Sequence, residues 1–244
     1  MQIMFEEEKN NNPDSFLEKR HSFAKDVGFP NLYDYIDHFG LFAGVHTIGN
    51  KLWTYELLKQ TVGVPGDIFE FGCWNGANLM FLAKIHSLLE PSSPKRVFGF
   101  DNFSGLPEGS VEDGDFGRSQ GGNYLGNESL LRKSIELFDL KSKIKLVVGD
   151  ALETIPVFNK KYPETICSFV YLDFDLYEPT KEALKMMDRS ISVGGIIVFD
   201  EACTPSWPGE TLAMKEYLSS SEHKFEMLSN PISRQPTVAI KRVG

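Results

Sequence analysis

The 244-residue sequence predicts an α/β protein with a doubly wound, mostly parallel sheet preceded by a helical N-terminal extension. Two observations carry that reading. From about residue 63 onward, short apolar runs alternate with segments of helical periodicity, which implies right-handed βαβ crossovers. Four of the five strand candidates end in an acidic residue, and the fifth carries one beside its terminal glycine. Ligands of such sheets bind at the carboxyl ends of the strands, so that regularity already points to a site.

The elements follow in order. Residues 1–14, charged, Asn-rich and closed by Pro13, read as disordered. Residues 15–62 read as a helical extension, with helices over about 15–25, 31–39 and 47–62. Thr47 is a candidate N-cap for the last, and Gly63 with Pro65-Gly66 ends it. The remaining domain, 63–244, has strand candidates at 67–72, 96–101, 144–150, 167–175 and 194–200. Helical patterns lie between them at about 77–90, 128–139, 151–160 and 179–190. The stretch 102–127, rich in Gly, Asp, Ser and Asn, reads as a long loop over the ligand edge.

Composition narrows the partners. A formal charge of −9 without a compensating Lys/Arg cluster argues against nucleic acid. No apolar run reaches the ~18–20 residues of a membrane span, and the acidic N-terminus is unlike a signal peptide, so a cytoplasmic location is expected. Cys73, Cys167 and Cys203 lack CxxC spacing and read as reduced thiols in or near the core. His21, His38, His86 and His223 read as surface residues.

Chemistry concentrates at the strand ends. Gly72 and Gly76 in Glu70-Phe-Gly-Cys-Trp-Asn-Gly allow a tight turn and a close backbone approach, but no third glycine completes a pyrophosphate-binding fingerprint. Asp101, ending the second strand, can accept ribose hydroxyls, and Asp150, ending the third, can bond an adenine edge. Glu70, Asp101 and Asp150 together describe a nucleoside pocket without a phosphate clamp. Capping of the following helices would use the same residues. Further on, Asp173 and Asp175 share a face if the strand stays extended, and Asp200 and Glu201 can both turn inward at a frayed end. Converging carboxylates repel unless a cation neutralises them, and Mg²⁺ or another hard divalent ion suits oxygen ligands. His46 lies in the glycine-bounded 40–49 segment, and Trp207 in the loop after Glu201 is a candidate apolar wall for a substrate.

The segments EFGCWNGAN, GFDNFSGLPE, VVGDALETIP, YLDFDLYEPTKEAL and GGIIVFDE together resemble the macrocin O-methyltransferase family over roughly residues 45–220. The resemblance implies a Rossmann-like class I methyltransferase fold that binds S-adenosylmethionine. It assigns Glu70, Gly72, Trp74, Asn75, Gly76 and Asn78 to the methionine and ribose side. Asp101 would hold the ribose with Asn102 and Ser104 nearby, Asp150 and Ala151 would face the adenine, and Thr47 would meet the methionine carboxylate. Asp173, which also borders the cofactor, would bind the metal with Asp200 and Glu201. Asp175 is then the preferred general base and His46 the second choice. The implied acceptor is a hydroxyl on a sugar, glycoside or phenol, and a homodimer is implied. Two other readings stay open: a nucleoside-binding module without chemistry, and a nicotinamide-dependent oxidoreductase.

Overall fold

The structure, a computed structural model, describes residues 32–244. The segments expected to be disordered (1–14) and helical (15–25) lie outside the described residues. The chain divides into two units, Met1–Gly44 and Val45–Gly244. In the first, α1 (Leu32–Asp37) and α2 (Phe39–Phe42) are short, and the Tyr35 and Phe42 rings lie 5.0 Å apart.

The second unit begins with α3 (Val45–Lys59), so Thr47 lies inside the helix and does not cap it. Then come β1 (Asp67–Phe71), α4 (Ala77–Leu89) and β2 (Val97–Asp101). The expected loop follows, holding a 3₁₀ turn (Val111–Asp113) and α5 (Gly114–Arg118). After it run α6 (Glu128–Leu137), β3 (Ile144–Val148), α7 (Ala151–Lys161) and β4 (Cys167–Leu172). The chain closes with α8 (Tyr177–Ser190), β5 (Ile191–Phe199), α9 (Pro208–Ser220), β6 (Phe225–Ser229) and β7 (Val238–Arg242).

The seven strands lie in the order β3-β2-β1-β4-β5-β7-β6. The first five are parallel, and β7 enters antiparallel between β5 and β6. Every residue of β4 is buried, as a central strand covered on both faces requires. Successive side chains serve opposite faces. Phe69, Phe71, Phe98 and Phe100 pack with Ile155 and Phe158 of α7 and the inner sides of α8 and α9. Ile68, Val97, Phe169 and Tyr171 pack with Leu57 of α3, Leu79 of α4 and Leu131 of α6. Glu70 falls on this second face. The strand order reverses at β1/β4, and the crevice above that point holds the site.

Candidate active site

The turn after β1 is shaped by close approach. Gly72 has φ 89°, and a Cβ there would stand 2.0 Å from the Asp173 carbonyl oxygen. Asp101 ties this turn to β2: the Cys73 and Trp74 amides each donate to Oδ2 at 2.7 Å, and the Phe103 amide donates to Oδ1 at 2.6 Å. A carboxylate offers about four acceptor positions, so three amides leave room for one ribose hydroxyl and not both.

A cavity of about 640 Å³ opens over the carboxyl ends of β1 to β5. Of the residues assigned to a cofactor, Gly72, Trp74, Asp101, Asn102, Asp150 and Ala151 line it. Asp150 also caps α7, accepting from the Leu152 amide at 2.8 Å. The four acids Asp173, Asp175, Asp200 and Glu201 line the same cavity. The other assigned residues do not. His46 and Thr47 are exposed on the first turn of α3, and the His46 carbonyl accepts from Ser233 Oγ at 3.4 Å. Asn75 receives the Asn127 amide at 3.0 Å and anchors the long loop. Gly76 sits under Leu131, Ser104 is exposed, and Glu70 is buried below the floor beside Asn78.

The acids repel one another in a poorly solvated space. Burial first, then Asp200 and Asp175, pushes Asp173 well above the usual carboxylate range. Burial with Glu201 and Asp200 raises Asp175 to about 8, and burial raises Asp200 to about 6 although the Tyr171 hydroxyl donates to its Oδ1. Glu201 Oε1 accepts from Gln235 Nε2, while its buried Oε2 has no hydrogen-bond partner among the described residues. Behind them the buried Glu210 accepts the Glu201 and Ala202 amides at 3.1 Å each. Among the described residues no three His, Cys, Asp or Glu side chains form a group arranged to hold a metal ion. By donor chemistry Asp173, Asp200 and Glu201 fit a hard cation: all offer oxygen, one oxygen is orphaned among the described residues, and the acids crowd one another in a buried space.

Backbone strain gathers at this rim. Trp74, Tyr124 and Asp175, with φ of 46°, 58° and 61°, line the cavity. Phe103 and Cys203, at 55° and 66°, stand one residue past Asn102 and two past Glu201. Each such conformation costs about 1–3 kcal/mol and persists only where surrounding bonds over-determine it.

Several lining residues escaped the sequence reading. Asp113 is 1% exposed and accepts from the Tyr177 amide at 2.7 Å and from the Ser110 amide and hydroxyl at 2.7 and 2.8 Å. It fastens the long loop to the start of α8. The Ser110-Val-Glu-Asp113 capping-box spacing was the available signal. Tyr124, 6.1 Å from Trp74 edge-to-face, and Gln235 have no comparable signature. Three expectations are corrected. Trp207 is buried under Phe116 at 5.2 Å and does not line the cavity, because it starts α9. His86 is buried on the inner face of α4, where burial lowers it to about 4, and Cys203 is exposed. Tyr177 and Lys181 have the Tyr-x-x-x-Lys spacing of some nicotinamide oxidoreductases, with Nζ 2.6 Å from the hydroxyl. Both engage Glu216 and neither lines the cavity.

The fold and rim define the chain as a class I methyltransferase-type α/β protein: seven strands, with rim acids ending or following four of the five parallel ones. A solved structure of CalS11, a calicheamicin methyltransferase, superposes with a TM-score of 0.81 at 30% identity, covering 96% of this chain and 94% of that one. Residues 55–230 match the macrocin-O-methyltransferase (TylF) family model, and the chain belongs to that family. Among characterised relatives, a tetracenomycin rhamnosyl 4'-O-methyltransferase from Streptomyces olivaceus is 27% identical over 65% of this chain and 60% of its own length. Demethyldecarbamoylnovobiocin O-methyltransferase from Streptomyces niveus is 28% identical over 67% of this chain and 65% of its own. The chain thus spans less than two thirds of these two relatives. None of these findings favours the nicotinamide or non-catalytic readings.

Proposed function

We propose that the protein is an S-adenosylmethionine-dependent O-methyltransferase acting on a hydroxyl of a sugar or other small natural product. The observation that carries this reading is one cavity in which a nucleoside-type acid, Asp101, and the four acids Asp173, Asp175, Asp200 and Glu201 share a wall. Family membership and the sugar or natural-product acceptors named for the relatives support it. In this reading Asp101, Asn102, Asp150 and Ala151 hold the nucleoside, and Gly72 and Trp74 border the sulfonium.

The acceptor oxygen attacks the sulfonium methyl carbon in line. The C–O bond forms as the C–S bond breaks, and the electron pair goes to sulfur. The hydroxyl proton goes to Asp175, whose carboxylate lines the cavity. Asp173, Asp200 and Glu201 would hold a divalent ion, which would supply Lewis-acid polarisation of the hydroxyl. Holding the two reactants together contributes most where water is excluded, and the 105–110 segment and Tyr124 line the same cavity.

The test is transfer of a labelled methyl group to a panel of free glycosides, nucleotide sugars and phenols. Transfer to a sugar or natural-product hydroxyl, lost in Asp175→Asn with cofactor binding retained, is the expected result. No transfer to any acceptor despite tight cofactor binding would point instead to a binding module. Transfer unchanged by EDTA would remove the metal from the scheme and leave the rest standing.

A further inference from the structure

Tyr124 lines the cavity in a conformation that its own packing does not reward. Its φ of 58° lies in the left-handed region that a bulky residue rarely enters, yet the residue is 51% exposed. The chain on either side fixes it there. Before it, the Gly122 amide donates to the Leu106 carbonyl and the Leu106 amide to the Asn123 carbonyl, both at 2.8 Å. After it, Trp74 Nε1 donates to the Leu125 carbonyl at 3.2 Å, and the Asn127 amide donates to Asn75 Oδ1 at 3.0 Å. A Cβ on Gly126 would stand 2.6 Å from the Trp74 carbonyl oxygen, so the loop is pressed against the turn after β1.

Strain enforced from both sides, which leaves an aromatic side chain open to a cavity, points to a ligand for that side chain. Its neighbours define what it offers. The Trp74 ring stands at 87° to it with centroids 6.1 Å apart, and the two make an apolar corner. The Tyr124 hydroxyl makes no hydrogen bond among the described residues. Burial first, then the charges of Asp175, Glu201 and Asp173, holds the phenol above the usual tyrosine range, so it stays a donor. Those three acids line the same cavity, which sets the phenol near the place where an acceptor oxygen gives up its proton. A ring with two adjacent hydroxyls fits this corner. It has an apolar face for the aromatics, one oxygen for the acids and the next for the phenol.

Resting on the methyltransferase reading, we propose that Tyr124 selects the acceptor. Its ring carries the apolar face of a cyclic vicinal diol, and its hydroxyl donates to the oxygen beside the one that is methylated. The reacting oxygen is left to Asp175, so Tyr124 binds the acceptor without entering the transfer step. Trp74 and Asn75 serve this platform by fastening the loop on which it stands.

The test uses the acceptor methylated fastest in the panel above, and its analogue lacking the hydroxyl on the neighbouring carbon. Wild type should take the deoxy analogue with a KM higher by about 3- to 10-fold, the range of one neutral hydrogen bond. Tyr124→Phe should raise KM for the full acceptor by the same factor and bring the two acceptors to equal KM. Tyr124→Leu should raise KM further, by about 10- to 100-fold, because the aromatic platform is lost as well. In both variants kcat, and the affinity for S-adenosylhomocysteine read by calorimetry, should stay within about threefold of wild type, as for an interaction equal in ground and transition states. The assignment is overturned, and the methyltransferase reading left intact, by any of three results. These are a preferred acceptor with no adjacent hydroxyl, discrimination against the deoxy analogue that persists in Tyr124→Phe, and S-adenosylhomocysteine affinity that falls in step with KM. Methyl transfer to no acceptor at all would overturn both.

Discussion

Asp113 does more for the site than its place in a loop suggests. Two of its three accepted hydrogen bonds close the loop on Ser110 and the third ties it to the start of α8, and a Cβ on Gly209 would meet its Oδ1 at 1.9 Å. Asp113→Ala should therefore cost about 2–3 kcal/mol, because buried donors lose a charged acceptor. For a chain of this size, a thermal melt should fall by roughly 5–10 °C. A melt within a degree of wild type would mean the loop is held elsewhere. Gly72 makes the complementary case. Gly72→Ala combines a left-handed backbone with a clash against the Asp173 carbonyl, so the turn must open. Nucleoside binding should fall more than tenfold, read by 5'-methylthioadenosine titration, and an unchanged affinity would contradict the packing described. Gly72 and Asp101 were legible in the sequence because a turn residue and a strand-end acid carry local signatures. Gln235 was not, because its partner Glu201 stands 34 residues away, and no local pattern encodes such a meeting.

Helix α7 is the clearest instance of an element held by one side chain. Phe158 packs edge-on against Phe98 and Phe100 at 5.2 and 5.3 Å, and against Phe69 at 6.0 Å. Phe158→Ala should destabilise by about 3–5 kcal/mol, measured by denaturant midpoint at constant slope. A loss under 1 kcal/mol would mean the cluster closes over the gap. The apolar runs of β1 to β5 were readable because buried parallel strands are apolar almost throughout. The readings overran where chemistry begins. The fourth strand stops at Leu172 and not at 175, because Asp175 adopts φ 61° and leaves the ladder. The elements after Glu201 went unread for physical reasons. α9 opens on Pro208-Gly209, a pair that resembles a turn, and its buried face carries the acid Glu210 beside Ala213, Met214 and Tyr217. β6 is a partly exposed edge strand, and β7 ends in the charged pair Lys241-Arg242.

The acid cluster sets how the folded protein responds to pH. Glu70 is raised to about 7, Asp175 to about 8 and Asp200 to about 6, with Asp173 and Glu210 raised as well. An unfolded carboxylate titrates near 4, so between about pH 4 and 8 the native state binds more protons than the unfolded one. Stability must then decline as pH rises through that window. The melting temperature of the metal-free protein should be higher at pH 5.5 than at pH 8, and millimolar Mg²⁺ should flatten the slope. A profile that climbs with pH would show that these acids are paired and not repelling. The order of the sheet has a separate consequence. Of the seven strands β7 comes last in sequence, yet it lies inside the sheet, between β5 and β6. Until it arrives, β5 presents an unsatisfied apolar edge and β6 has nowhere to dock, so a nascent chain stalled near residue 230 should depend on chaperones.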